Sequence, residues 1–358
     1  MALRVGINGF GRIGRLALRF LLEHAPAIKV VAINDRGALD INAYLLQHDS
    51  NYGAFPARIE TRGADLVVND ESIRFFSNTH PSDIPWREYG VDLVVESTGA
   101  FADARRAAGH LESGAARVLV TAPCKNADVT IIAGVNDPSL RAEHRIISAA
   151  SCTTNCLAPV AKVLNDAFGI AHGMMATIHA YTNDQRILDK SHSDPRRSRA
   201  AAANIIPTTT GASKTLGLVI PELAGKIGGL SYRVPTLTVS VIDLTVALRK
   251  SVSARDVNRA FEQAASDGLR GIVELCAIPL VSTDFKGNAH SAIVDGLLTQ
   301  VLEEEGLTRV VAWYDNEWGY ATRVADLTRF IADGTRAWKD IGGLGSRQAT
   351  RLNKSLGV

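Results

Sequence analysis

Residues 3–14 read LRVGINGFGRIG. The apolar run Leu3–Asn8 predicts a buried strand, and Gly9-x-Gly11-x-x-Gly14 follows it directly. A helix with apolar residues at Leu16, Leu18, Leu21 and Leu22 comes next, then a second apolar run over Lys29–Asn34. Together these make a β-α-β unit. Glycines at this spacing allow a tight turn and let the backbone approach a pyrophosphate, which rests on the helix N-terminus. Asp35 lies just past the second strand, where a carboxylate accepts hydrogen bonds from ribose hydroxyls and favours NAD. Further β-rich runs at Val91–Glu96, Arg117–Val120 and Thr130–Val135 predict a parallel sheet wrapped on both faces.

The pattern changes at Cys152. Thr154–Phe168 predicts a helix starting at or just after the cysteine. Met174–Ala180, Gly229–Val234, Val239–Leu248 and Thr308–Tyr314 are longer β-rich runs, several of them alternating as in a sheet with one solvated face. Asp189–Ala200 is polar and basic and reads as a surface loop. Trp318–Ala332 is helical again. The fold class is therefore α/β with a second, α+β domain. Its expected bounds are 1–151 for the dinucleotide domain, completed by a C-terminal helix at 317–335, and 152–316 for the second. Residues 336–358 form a Gly-containing tail with Arg347, Arg351 and Lys354, read as loosely docked.

Bulk properties narrow the classes. A chain of 358 residues suits two domains. A net charge of +2 gives no reason to expect nucleic acid as a main partner. No apolar run is long enough to span a bilayer, and Met1–Val5 runs straight into a strand, leaving no room for a signal peptide. The four cysteines, Cys124, Cys152, Cys156 and Cys276, match no zinc spacing and are too few for a disulfide framework. A reducing cytoplasm is expected, and no metal.

Cys152 lies in Ser151-Cys152-Thr153-Thr154-Asn155-Cys156 at a predicted helix start, where backbone N–H groups favour a thiolate. A cysteine in such a place is otherwise often a small core residue, but hydroxylic neighbours suit a polar pocket better. The Cys152/Cys156 spacing is not that of a redox dithiol. His179, in Ile178-His179-Ala180-Tyr181-Thr182, is a candidate partner that activates a thiol and then relays a proton. Nine histidines are available, and spacing does not single it out. Arg196, Arg197, Arg199 and Arg233, with Thr208-Thr209-Thr210-Gly211, form either a phosphate clamp or a solvated basic face.

GINGFGRIGR, SCTTNCLAP, HAYTNDQ, RAAAANIIPTTTGASK, YRVPT and WYDNEWGY occur in this order, and the chain to about Ala332 resembles the phosphorylating glyceraldehyde-3-phosphate dehydrogenase family. The resemblance implies a Rossmann domain, a catalytic α+β domain with a large, mostly antiparallel sheet, and a homotetramer. It implies oxidation of glyceraldehyde 3-phosphate, with inorganic phosphate as second substrate, through a thiohemiacetal and a thioester on Cys152. His179 is the implied base. Ser151 and Thr153 flank the thiol and contact substrate. Thr182 and Arg233 hold the C3 phosphate, and Arg197, Thr210 and Gly211 the incoming phosphate. The implied cofactor set is Gly9, Phe10, Gly11, Arg12, Ile13 and Gly14 in the turn. It continues with Asn34, Asp35 and Arg36 after the second strand, and with Ser97, Thr98, Gly99 and Thr121. Asn316 places the nicotinamide and Tyr320 packs beside it.

Three departures stand out. Ala149 replaces a usual Asn before the thiol turn. Lys190-Ser191 replaces the Leu-Pro of NAD-specific members and, with Arg36, opens the way to NADP. The tail after Gly342 extends past the usual family end. Rival readings are an erythrose-4-phosphate dehydrogenase, a cysteine hydrolase or acyltransferase, and a nucleic-acid module using the tail. Retention of Thr182 and Thr210-Gly211 speaks against the first, the glycine fingerprint with Asp35 against the second, and the near-neutral charge against the third.

Overall fold

A computed structural model describes residues 2–302 and 305–333; the tail expected at 336–358 lies outside the described residues. The chain forms two compact units. One holds the described residues up to Ile131, Asp137–Ala150 and 321–333; the other holds Ile132–Asn136 and Ser151–Tyr320.

The first unit is a nine-stranded, mostly parallel sheet of Rossmann type. Leu3–Asn8 is central, between Ile28–Asn34 and Leu93–Glu96 and parallel to both. Val5, Ile7, Leu93, Val94 and Val95 are fully buried, which is why these strands read as continuous apolar runs. Arg117–Val120, Ile146–Ser148 and Val129–Thr130 extend one side. On the other side Glu71–Phe76 joins Ile28–Asn34 in parallel and then turns back antiparallel through Asp65–Val68 and Ile59–Arg62. The reversal between Val68 and Glu71 is made by Asn69 and Asp70, both at positive φ (48° and 72°).

Only the first residue of the expected strand Thr130–Val135 is in the sheet, within Val129–Thr130. The rest turns: Val135 N–H bonds the Ile132 carbonyl, Gly134 takes φ +77°, and the Asn136 side chain accepts the Ile132 amide. Ile131 gives one last backbone bond to the Ser148 carbonyl, and Ile132 and Ala133 are buried in the turn beyond it, so their apolar character reports burial, not a strand.

The second unit is an eight-stranded, mostly antiparallel sheet. Its longest strands, Ile170–Ala180, Ser240–Leu248 and Leu307–Tyr314, lie side by side and antiparallel. Ile227–Val234 pairs in parallel with Ile170–Ala180, and that register sets Arg233 directly beside His179. The helix Cys152–Phe168 begins at the thiol, capped by Ser151, whose Oγ accepts the Thr154 amide at 3.1 Å. It stops at Gly169, φ +74°. The last described helix, Trp318–Ala332, starts where Asp315 accepts the amides of Glu317 and Trp318. Among the described residues no helix is long and apolar enough to cross a membrane.

Candidate active site

The second unit brings a thiol and an imidazole together. Cys152 is the first residue of its helix, and His179 is next to last on the strand Ile170–Ala180. Their Sγ and Nε2 atoms are 3.4 Å apart. His179 Nδ1 lies 2.6 Å from the carbonyl oxygen of Ala180. That oxygen only accepts, so Nδ1 carries the proton and Nε2 turns its lone pair to the thiol. Arg233 Nη1 donates to the same carbonyl at 3.2 Å while lying 2.7 Å from Nδ1. A guanidinium nitrogen only donates, so this contact by itself suits a proton on Nε2; the shorter approach of Nδ1 to the carbonyl and the thiol proton facing Nε2 favour the proton on Nδ1.

Burial, with the charge of Arg233 behind it, holds the His179 pKa down at about 3. Burial also pushes the Cys152 thiol above its ordinary value, against the pull of Arg233 and of Thr153. Desolvation therefore outweighs the helix N-terminus that led the sequence to suggest a thiolate. A half-buried thiol and a neutral base in contact suit concerted proton transfer to Nε2.

Residues with no supporting role assigned from sequence frame the pair. The Tyr314 hydroxyl sits 2.9 Å from both Thr153 Oγ1 and Thr177 Oγ1, and its ring meets the His179 ring edge to face. It thus ties the start of the thiol helix to the histidine strand. Ser240 Oγ accepts the Ala180 amide at 3.1 Å and donates to Asn316 Oδ1 at 2.9 Å, which turns the Asn316 amide nitrogen away from it. Val239, just before, is held at φ +67°, a strained setting for a β-branched residue. Tyr314 lies in the WYDNEWGY motif and Ser240 in an alternating strand, but neither signal gave them a role, since alternation does not distinguish a support from core.

Among the expected phosphate residues, Arg197 donates from Nε to Thr208 Oγ1 at 2.9 Å and is ion-paired with Asp184. Thr210 Oγ1 accepts the Ala212 amide at the head of the helix Ala212–Val219. Gly211 has nothing within 4 Å of where a Cβ would stand, so its backbone is open. Thr182 is half-buried and its amide bonds Gln185. Arg196 and Arg199 are exposed, and Arg199 pairs with Asp189, as on a solvated face.

The first unit holds a cleft of about 450 Å³ lined by Gly9, Gly11, Asn34, Asp35, Arg36 and Thr98, among others. Its glycines suit a dinucleotide. At Gly9 (φ +91°) a Cβ would stand 2.6 Å from the Thr98 amide, and at Gly14 2.2 Å from the Gly9 carbonyl, whereas at Gly11 it would meet nothing. The turn is thus closed behind and open in front. Asp35 accepts the Phe10 amide on one oxygen and the Gly37 amide on the other, both at 2.8 Å. The Arg12 guanidinium is gripped by both oxygens of Asp49 at the start of the helix Arg12–His24. Ser97 Oγ donates to the Gly9 carbonyl, Gly99 takes φ +72°, and Thr121 Oγ1 donates to the Glu96 carbonyl. Tyr320 is buried.

The models of the glyceraldehyde 3-phosphate dehydrogenase NAD binding domain and C-terminal domain match residues 3–104 and 151–316. The Geobacillus stearothermophilus glyceraldehyde-3-phosphate dehydrogenase is 52% identical over 336 residues, covering 93% of this chain and 99% of the relative. Glyceraldehyde-3-phosphate dehydrogenase 2 of Bacillus subtilis is 50% identical over 333 residues (93% and 97%). The chloroplastic A enzyme of Zea mays is 48% identical over 340 residues (94% and 83%).

The chain belongs to the glyceraldehyde-3-phosphate dehydrogenase family. It is an NAD-dependent oxidoreductase. In this family member backbone bonds and Ser148 hold the turn before the thiol. Ala149 is buried with its amide on the Val120 carbonyl, and Ser148 Oγ accepts the Ala150 amide, which holds Ala150 at φ +56°. Lys190 and Ser191 are both exposed, their loop fixed by Lys190 N–H to the Ser198 carbonyl and Arg186 Nε to the Ser191 carbonyl.

Proposed function

We propose that this chain catalyses the reversible oxidative phosphorylation of glyceraldehyde 3-phosphate to 1,3-bisphosphoglycerate, with residues 1–151 and the C-terminal helix binding NAD and residues 152–316 carrying the chemistry. The observation that carries the reading is the 3.4 Å approach of Cys152 Sγ to the lone-pair nitrogen of His179. The Cys152 sulfur bonds the aldehyde carbon, and its proton passes through His179 Nε2 to the carbonyl oxygen, giving a thiohemiacetal. His179 then takes the hydroxyl proton as the carbon is oxidised to a thioester. Bound NAD supplies the hydride acceptor. A phosphate oxygen attacks the thioester carbon, the carbon–sulfur bond breaks, and the imidazolium returns its proton to the departing thiolate.

Charge complementarity supports the remaining roles. Arg233 and Thr182 bind the C3 phosphate; Arg197, Thr210 and Gly211 bind inorganic phosphate; Ser151 and Thr153 contact substrate. Gly9 to Gly14, Asn34 to Arg36, Ser97 to Gly99, Thr121, Asn316 and Tyr320 serve the cofactor. Arg36 at the cleft and Ser191 in place of Pro favour some NADP use alongside NAD. A homotetramer in the cytoplasm completes the reading. The test is NADH absorbance with glyceraldehyde 3-phosphate, with and without phosphate or arsenate. Turnover should require one of those anions, and full steady-state turnover without either excludes the phosphorylating step.

A further inference from the structure

Behind the cofactor cleft of the first unit runs a buried chain of polar side chains. Glu96 is 1% exposed and His110 0%. Trp86 Nε1–H donates to His110 Nδ1 at 3.0 Å. Nδ1 is therefore an acceptor, Nε2 carries the proton, and it donates to Glu96 Oε2 at 3.0 Å. The same oxygen accepts the Asn8 amide nitrogen, while Oε1 accepts the backbone N–H and the hydroxyl of Thr98. Asn8 Oδ1 takes the Asn34 amide nitrogen at 2.8 Å, and Asn34 Oδ1 takes the Asn78 backbone N–H at 2.7 Å. Asn8, Asn34, Asn78 and Thr98 line the cleft; Trp86, Glu96 and His110 stand behind them.

The chain has a polarity problem with one solution. Its two ends, the Trp86 indole N–H and the Asn78 backbone N–H, only donate. A row of hydrogen bonds closed by a donor at each end needs one member that accepts from both sides, as Oε2 of Glu96 does. Glu96 is that member, and it decides which way the amides of Asn8 and Asn34 face. We propose that Glu96 is a positioning residue for the cofactor. Its carboxylate orients Asn8, Asn34 and the Thr98 loop toward the dinucleotide, with His110 and Trp86 as its rear support. The proposal rests on the reading of the cleft as the NAD site.

Glutamine has the shape of glutamate but turns one oxygen into a donor. At position 96 that donor meets either the Thr98 backbone N–H, which only donates, or the Asn8 and His110 nitrogens, so in either orientation a buried bond that Glu96 accepts is lost. The experiment is calorimetric titration of NAD into parent, Glu96→Gln and Trp86→Phe enzyme. It is paired with the rate of Cys152 alkylation by iodoacetamide without NAD. Glu96→Gln should weaken NAD binding about tenfold, an effect the size of one lost buried hydrogen bond. Trp86→Phe should weaken it less, and both should leave the alkylation rate at the parent value. Parent-like Kd in folded Glu96→Gln overturns the proposal, as does equal loss of NAD affinity and Cys152 alkylation, which would mark general loss of structure. If Glu96→Gln does not fold, an unchanged Kd in Trp86→Phe overturns it. A parent that binds no NAD instead overturns the reading of the cleft.

Discussion

His179 Nε2 and Cys152 Sγ are 3.4 Å apart, with the imidazole proton on the far nitrogen, held by the Ala180 carbonyl. The thiol thus faces a base that starts the reaction uncharged. The register that sets Arg233 beside His179 also puts a cation against the pair, which favours a thiolate once the proton has moved.

Cys152 should be the one thiol that reacts readily. Burial pushes Cys124 up to about 11 and Cys156 well above its ordinary value, and neither has an imidazole in hydrogen-bond reach. Iodoacetamide followed by peptide mapping should find Cys152 first. Cys152→Ser should bind NAD and lose nearly all turnover. Preferential labelling of Cys124 or Cys276 would remove Cys152 from its role.

Replacing the base should slow both halves of the chemistry. His179→Asn is expected to lower kcat by roughly 10²- to 10⁴-fold, the range for a positioned acid-base group. It should also slow alkylation of Cys152 at neutral pH. Unchanged alkylation would mean that another group takes the thiol proton.

The same histidine should shape acid stability. Its folded pKa is about 3 against 6.5 for a free imidazole. Below 6.5 the unfolded chain takes up a proton that the folded one refuses, so this stability is present above 6.5 and is lost as pH falls toward 3. Thermal melts should show the parent losing Tm more steeply than His179→Asn across that window. Parallel profiles would mean that His179 is not held neutral.

Cofactor choice should be NAD first with measurable NADP activity. Asp35 repels a 2′-phosphate and Arg36 offsets that charge; Lys190 and Ser191 would add contacts where their loop reaches the adenosine end from the same or a neighbouring subunit, each worth about 1.5–3 kcal/mol to a charged group. Lys190→Leu combined with Ser191→Pro should lower kcat/KM for NADP relative to NAD. An unchanged ratio would exclude the loop from cofactor selection.

Much of this was legible because backbone chemistry leaves marks in sequence. Gly9, Gly11 and Gly14 announce a turn that a Cβ would obstruct, and Leu3–Asn8 and Lys29–Asn34 announce strands buried on both faces. The three antiparallel strands over residues 59–76 were not drawn from the sequence: a lone Gly63 (φ +60°) marks the first reversal, and the second rests on Asn69 and Asp70 at positive φ. Thr130–Val135 looked like a strand because buried turns and strands share apolar composition. Tyr314, Thr177, Ser240 and Glu96 were invisible for another reason. Each acts through hydrogen bonds to residues far away in the chain, and no local spacing encodes such pairs.

The most direct test of the thioester route is a single turnover without phosphate, followed by rapid quench and mass spectrometry of the protein. A burst of one NADH per active site is expected, together with an acyl adduct on Cys152 that added phosphate discharges as an acyl phosphate. Linear NADH formation with no adduct, or an adduct on another residue, would contradict it.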